Sequence, residues 1–361
     1  MTPGKKLSRV NRGSVYALRF ALLATVLLFL FVTGNLLIQS INAFQSGGKI
    51  GNTVFSQDGQ ATNNVTAVAW SPVGDRVVAA GKNVQIWDAL TGAHPVTLNT
   101  NGADVTAVAW SPDAQQLVTG SSQIVVWNVQ TNKQKFVYTT QGQKNFSPES
   151  LHVNAMEWSP DKTMVATAYT YAGTGNKAST HWVDVWNAAT GKAIFTYRGH
   201  KNDVVSLAWS SDSKRIASAS TDGVLVVWDA GNGKNAVKYA TTGKITSISW
   251  SPDDKYLVSA TKTLQIWDIK NPKKPVGTID THTNTATSHV RWSPDGAFIV
   301  STDTAVHIWN ATSGNEVYTY SEHHHPVKAV AWSPDATYLV SSDAGSNKDG
   351  DAGSIKVWQA S

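Results

Sequence analysis

The sequence predicts an all-β fold, a seven-bladed β-propeller preceded by one N-terminal transmembrane helix. Three observations carry this. A Trp followed by Ser, and in six cases then Pro, recurs seven times, at Trp70, Trp110, Trp158, Trp209, Trp250, Trp292 and Trp332. A second Trp closes a β-branched run seven times, at Trp87, Trp127, Trp186, Trp228, Trp267, Trp309 and Trp358, so only Trp182 of the 15 Trp stands outside both series. Third, residues 20–38 (FALLATVLLFLFVTGNLLI) carry no charge.

The last observation comes first along the chain. Residues 1–19 are a short basic tail, and 20–38 as a helix would span about 28 Å, close to the hydrocarbon thickness of a bilayer. A cleaved secretory signal is the competing reading, with 20–32 as its apolar core and Ile41-Asn42-Ala43 as an imperfect cleavage site. The run resumes at Leu36-Leu37-Ile38 and reaches anchor length, which favours a signal-anchor. Five cations precede it and only Lys49 follows closely, so the tail is expected in the cytoplasm and the propeller outside the cell membrane, as a single-pass protein. Residues 39–48 (QSINAFQSGG) read as a linker, and 49–57 (KIGNTVFSQ) as one spare strand.

From residue 65 the repeat takes over, with a period near 40 that marks units unable to bury their own faces alone. Each unit opens on an inner strand such as 65–70, reverses at Ser-Pro-Asp, and continues through two hairpin-linked strands to the second Trp. A turn such as Thr190-Gly191 then leads to an outer strand. The seventh unit ends at Ser361 with no outer strand of its own, so 49–57 is expected to fill that edge and close the ring.

Composition narrows the chemistry. There is no Cys, which excludes disulfides, a thiolate nucleophile, Cys-ligated zinc and a lipid anchor on Cys. Residues 1–49 hold six cations and no acid, so the remainder carries 24 cations against 25 acids, despite a net charge of +5 for the chain. A neutral domain lacks the electrostatic footprint for nucleic acid, and that partner class is not expected.

The fourth unit carries the strongest family likeness, with Gly199-His200, Asp222-Gly223 and Trp228-Asp229. With these residues the chain resembles the WD-repeat, or β-transducin-type, propellers, here as a bacterial-type membrane-anchored member. Periplasmic Tol-system propellers share the Ser-Pro-Asp-Gly turn but lack the regular Trp-Asp ending, and quinoprotein dehydrogenases use eight blades. The resemblance implies a buried hydrogen-bond chain of His200, Ser218 (or Ser220), Asp222 and Trp228. His323 and Asp303 match His200 and Asp222 by position, but no other blade shows both.

No nucleophile elbow, phosphate loop or dinucleotide fingerprint is present, and no cofactor or resident metal is expected. His323, His324 and His325 are adjacent and poorly placed to converge on one ion. The 343–351 stretch, with Asp349 and Asp351, has the flavour of a calcium loop but fails EF-hand spacing, so a polar loop is the expectation.

Spacing points to a binding face. The two Trp of a blade are 17 residues apart in four blades and 19 in the fourth, but 28 in the third and 26 in the seventh. The 127–158 interval is also long, and all three excesses fall in loops that a propeller projects from one end. The expected partner face therefore comprises Phe146, Tyr169, Tyr171, His181, Trp182, His323, His324, His325, Asp349 and Asp351, with the aromatics partly exposed and pointing away from the membrane. The expected function is a monomeric, membrane-tethered scaffold for protein or peptide partners. An extracytoplasmic enzyme or small-ligand binder, with its site at the central channel mouth, is the alternative.

Overall fold

The computed structural model describes residues 49–58, 65–140, 150–173, 178–281, 287–343, 345 and 353–361. The chain divides into two compact units, Met1–Lys49 and Ile50–Ser361, and the second is the propeller. Among the described residues no helix is long and apolar enough to cross a membrane. The expected span at 20–38 and the linker at 39–48 lie outside them.

Among the described residues twenty-eight strands pair into seven antiparallel sheets of four. The fourth blade sets the pattern with Val204–Trp209 innermost, then Arg215–Ser220, Val224–Asp229 and the outer Val237–Ala240. The ring closes through the N-terminus, where Thr53–Asp58 pairs with Ser354–Gln359, with Thr53 opposite Trp358. This strand begins four residues later than the sequence suggests. It supplies the missing outer strand and covers the edge of Ser354–Gln359, giving the seventh blade four strands like the others.

The Ser-Pro-Asp turn is explained by its hydrogen bonds. In the second blade Ser111 Oγ donates to Asp113 Oδ1 at 2.6 Å and accepts the Gln116 N–H at 2.9 Å, while Asp113 accepts the Gln115 N–H. The same lock recurs at Ser159–Asp161, Ser210–Asp212, Ser251–Asp253, Ser293–Asp295 and Ser333–Asp335. Three residues after the Ser the backbone turns to positive φ, at Gly74 and Gly296 and even at Ala114 and Ala336. The side-chain bonds hold a conformation that alanine does not favour alone.

The core lies between blades. Seven apolar clusters each straddle two neighbouring sheets. The second Trp of a blade takes rings from the preceding outer strand: Tyr197 stacks on Trp228 at 4.8 Å and 7°, Tyr320 on Trp358 at 4.3 Å and 2°. Its indole N–H is satisfied by a hydroxyl on the second strand in six blades, from Thr119, Thr167, Ser218, Ser259, Ser301 and Ser341. In the first blade Ala79 holds that register position, and Trp87 Nε1 is buried without a partner among the described residues.

Candidate functional site

The expected hydrogen-bond chain of the fourth blade forms, with one member displaced. His200 Nε2 lies 2.7 Å from Ser218 Oγ, which accepts the Trp228 indole N–H at 3.0 Å. Asp222 does not join it. Its carboxylate caps the turn instead, accepting the Lys201 and Val224 N–H groups at 3.1 and 2.9 Å, and His200 Nδ1 is left without a partner among the described residues. Burial drives the imidazole down to about 4, against the pull of Asp222, so His200 is neutral at neutral pH.

The complete chain is in the seventh blade. His323 Nδ1–H donates to Asp343 Oδ2 at 2.8 Å, His323 Nε2 meets Ser341 Oγ at 2.7 Å, and Ser341 Oγ accepts the Trp358 N–H at 3.0 Å. Ser354 adds its hydroxyl and its N–H to the Asp343 carboxylate at 2.9 and 2.8 Å. Burial pushes the Asp343 carboxyl up, but these bonds outweigh it and hold it below the usual carboxylate value. His323 is therefore a buried frame residue rather than part of a partner surface. The sequence hid this because the insertion places the turn Asp 15 residues before Trp358, against six before Trp228.

The third-blade aromatics require a larger correction. Tyr169, Tyr171 and Trp182 are 1%, 9% and 1% exposed, so they are not the partly exposed contacts expected. Residues expected in a loop instead lengthen two strands, Met164–Tyr171 and Thr180–Asn187, to eight residues each. Tyr169 sits opposite Trp182 in that ladder and stacks on it at 5.2 Å, facing the second blade. On the same strand face, between Trp182 and Trp186, Asp184 is fully buried and accepts hydroxyls from Thr140 and Thr196 at 2.5 and 2.7 Å, with Tyr138 OH at 3.3 Å.

Of the remaining expected residues, His181 is half-buried and sits 2.9 Å from Asp203 of the next blade, which also accepts the Thr170 hydroxyl. His324 is exposed and His325 half-buried. Phe146, Asp349 and Asp351 lie outside the described residues. Among the described residues no group of three or more His, Cys, Asp or Glu is arranged to hold a metal ion.

Inner strands of all seven blades line a central cavity of about 180 Å³. Thr66, Thr106 and Thr246 stitch its wall by donating to carbonyls of the next blade at 2.5 to 2.7 Å. Deeper, Glu157 accepts the Trp209 N–H at 2.8 Å, and burial raises its carboxyl to about 7, against the lowering pull of Arg291 and that hydrogen bond. Arg291 Nη1 is directed at Ser247 Oγ and at the Ile248 and Val290 carbonyls. His289, pushed down to about 3 by burial and Arg291, has a buried Nδ1 with no partner among the described residues.

Comparison with known proteins agrees with this architecture. The WD40 family pattern (WD domain, G-beta repeat) matches residues 51–88, 93–128, 191–229, 235–268, 273–310 and 314–359. The gap at 129–190 covers the third blade's lengthened strands. WD repeat-containing protein 1 of Mus musculus is 38% identical over 84 residues, 22% of this chain and 14% of that protein. Serine-threonine kinase receptor-associated protein of Gallus gallus is 30% identical over 97 residues, 26% of this chain and 28% of the relative. Small ribosomal subunit protein RACK1y of Oryza sativa subsp. japonica is 33% identical over 90 residues, 25% and 27% of the two chains. The matched segments thus span little more than a quarter of these relatives at most. With six matched repeats inside a seven-sheet ring, the chain belongs to the WD40-repeat family.

Proposed function

We propose that this chain is a membrane-tethered protein-interaction scaffold that binds through the loop end of its third and seventh blades. WD40 propellers are in general non-enzymatic scaffolds, and two of the relatives are named for association with a kinase receptor and with the ribosome. The observation that carries the choice of face is the His323–Asp343–Ser354 cluster. It pins both feet of the seventh-blade insertion, at 343 and 354, to the loop bearing exposed His324 and Pro326. A rigid base under an inserted segment is the arrangement that binding loops use.

Replacing 346–352 by a Gly/Ser segment of equal length, together with His324→Ala, tests the face. Partner recovery by cross-linking from membranes should fall while the melting temperature stays unchanged. Equal recovery from the variant overturns the assignment. The tether is tested in intact cells, where external protease should digest the propeller while a cytoplasmic marker survives. Full protection, with an external marker digested, rules out the outside location.

The channel supports a second reading, a small-ligand site, because Glu157, Arg291 and His289 face one cavity. Their hydrogen bonds run mostly into the wall, so we place this reading behind the scaffold.

A further inference from the structure

The seven blades serve as internal controls for one another, and one of them lacks a side chain. The residue before the second Trp pairs with an outer-strand residue, and in four blades the side chain of that residue reaches the next blade. That partner is Val96, Phe136, Phe195, Val237, Gly277, Tyr318 and Phe55 in blades 1 to 7. The four aromatic ones lie 6.0 to 6.4 Å from the Trp of the following blade. In blade 5 the residue is glycine, and a Cβ built on Gly277 meets nothing closer than Ile266 at 3.6 Å.

The missing ring leaves a cleft of about 490 Å³ between blades 5 and 6, lined by Tyr256, Ile266, Val276, Trp292, Ala311 and Thr312. That volume is in the range of natural binding pockets. This interface buries seven apolar residues among those described, against 11 to 16 at the other six. Trp292 is half-buried, whereas its six counterparts are 5 to 8% exposed. Val276 at the mouth is 54% exposed, and Tyr256 stacks on Trp292 at 6.4 Å and 14°.

The rim adds charge. The turn leading to Val276 carries Lys270, Lys273 and Lys274, all exposed and without a carboxylate partner among the described residues. Asp253 and Asp295 also line the cleft, Asp253 ion-paired with Lys255 at 2.9 Å and Asp295 accepting from Ser293 Oγ and the Ala297 N–H, while Asp268 accepts the Lys270 N–H, so the unpaired charge of the rim is that of the three lysines.

We propose that this cleft is a docking socket for one Phe or Tyr side chain of a partner protein, flanked by acidic residues. The aromatic ring takes the place that Phe136, Phe195, Tyr318 and Phe55 take in their own blades, and the flanking carboxylates meet the three turn lysines. The socket opens among the Ser-Pro-Asp turns, the end opposite the loops of the scaffold reading, so either assignment can fail without the other.

The test measures binding of a fluorescein-labelled Gly-Glu-Asp-Phe-Asp-Glu-Gly peptide to the full chain. Replacing its Phe by Ala should weaken binding about 10- to 100-fold, the scale of burying one such side chain. Lys flanks in place of the acidic ones should weaken it too, by a factor that shrinks with salt. Gly277→Phe should abolish binding and leave the melting temperature equal or higher. Val276→Glu at the exposed mouth should also abolish it, which keeps the test open if the Phe variant misfolds. No saturable binding, equal binding of the Ala peptide, tighter binding of the Lys-flanked peptide, or undiminished binding to Val276→Glu overturns the proposal.

Discussion

Blades 3 and 7 carry insertions of similar length at the same point between second and third strands, and the two are used differently. In blade 3 the extra residues include Tyr169, Tyr171 and Trp182, and these lengthen the hairpin into the core beside blade 2. In blade 7 the strands end at Asp343 and resume at Ser354, and those two residues are tied to each other and to His323. Insertion length alone therefore does not mark a binding loop. Aromatic residues that fall opposite each other in a ladder extend the sheet, as each cross-strand pair adds stabilisation. The 344–353 stretch is polar and Gly-rich and contains no aromatic or β-branched residue.

The comparison can be broken most forcefully at Trp182. Trp182→Ala removes a fully buried indole that stacks on Tyr169, and should cost about 3–5 kcal/mol in denaturant unfolding. A loss under 1 kcal/mol would return the residue to the surface. The seventh-blade counterpart is Asp343→Ala, which strands His323 and Ser354. It should cost about 1–3 kcal/mol and lower partner recovery by releasing both feet of the insertion.

A third perturbation concerns the channel-facing side of blade 3. Glu157 has its carboxyl raised from 4.5 to about 7, so the folded state favours the protonated form. Its contribution to stability is full below about pH 4.5 and is lost as pH rises through 7. Glu157→Gln keeps an oxygen for the Trp209 N–H and removes the titration. The variant should gain about 1–3 kcal/mol over wild type at pH 8 and match it near pH 4. His200 and His289 act with the opposite sign, losing stability as pH falls from 6.5 through about 4 and 3. They are common to both proteins and cancel in that difference.

The smallest expected effect is a gain. Ala79→Ser should give the buried Trp87 N–H the acceptor its six counterparts possess, for about 0.5–1.5 kcal/mol in the same unfolding assay.

Blade number and strand order were legible because both Trp series are tied to register: one ends the inner strand, the other the third. The closing role of the N-terminal strand was legible as an unfilled edge. The fate of Tyr169 and Trp182 was not, since whether residues pair across a hairpin depends on the partner strand and on the blade they meet. The role of Asp343 was not legible, because the insertion stretches its spacing from Trp358 to 15 residues, against six between Asp222 and Trp228, while leaving the base of the hairpin in place. The Gly277 gap was visible in principle as a break in an aromatic series, but only once register aligned the outer strands.

Amide hydrogen exchange on the full chain, read by mass spectrometry, tests the central contrast most directly. If the third-blade insertion is frame, amides of Tyr169, Trp182 and Val183 should exchange only with global unfolding, as slowly as those of Ser218 and Val226. Exchange of Tyr169 and Trp182 within seconds, while Ser218 and Val226 stay protected, would contradict the account.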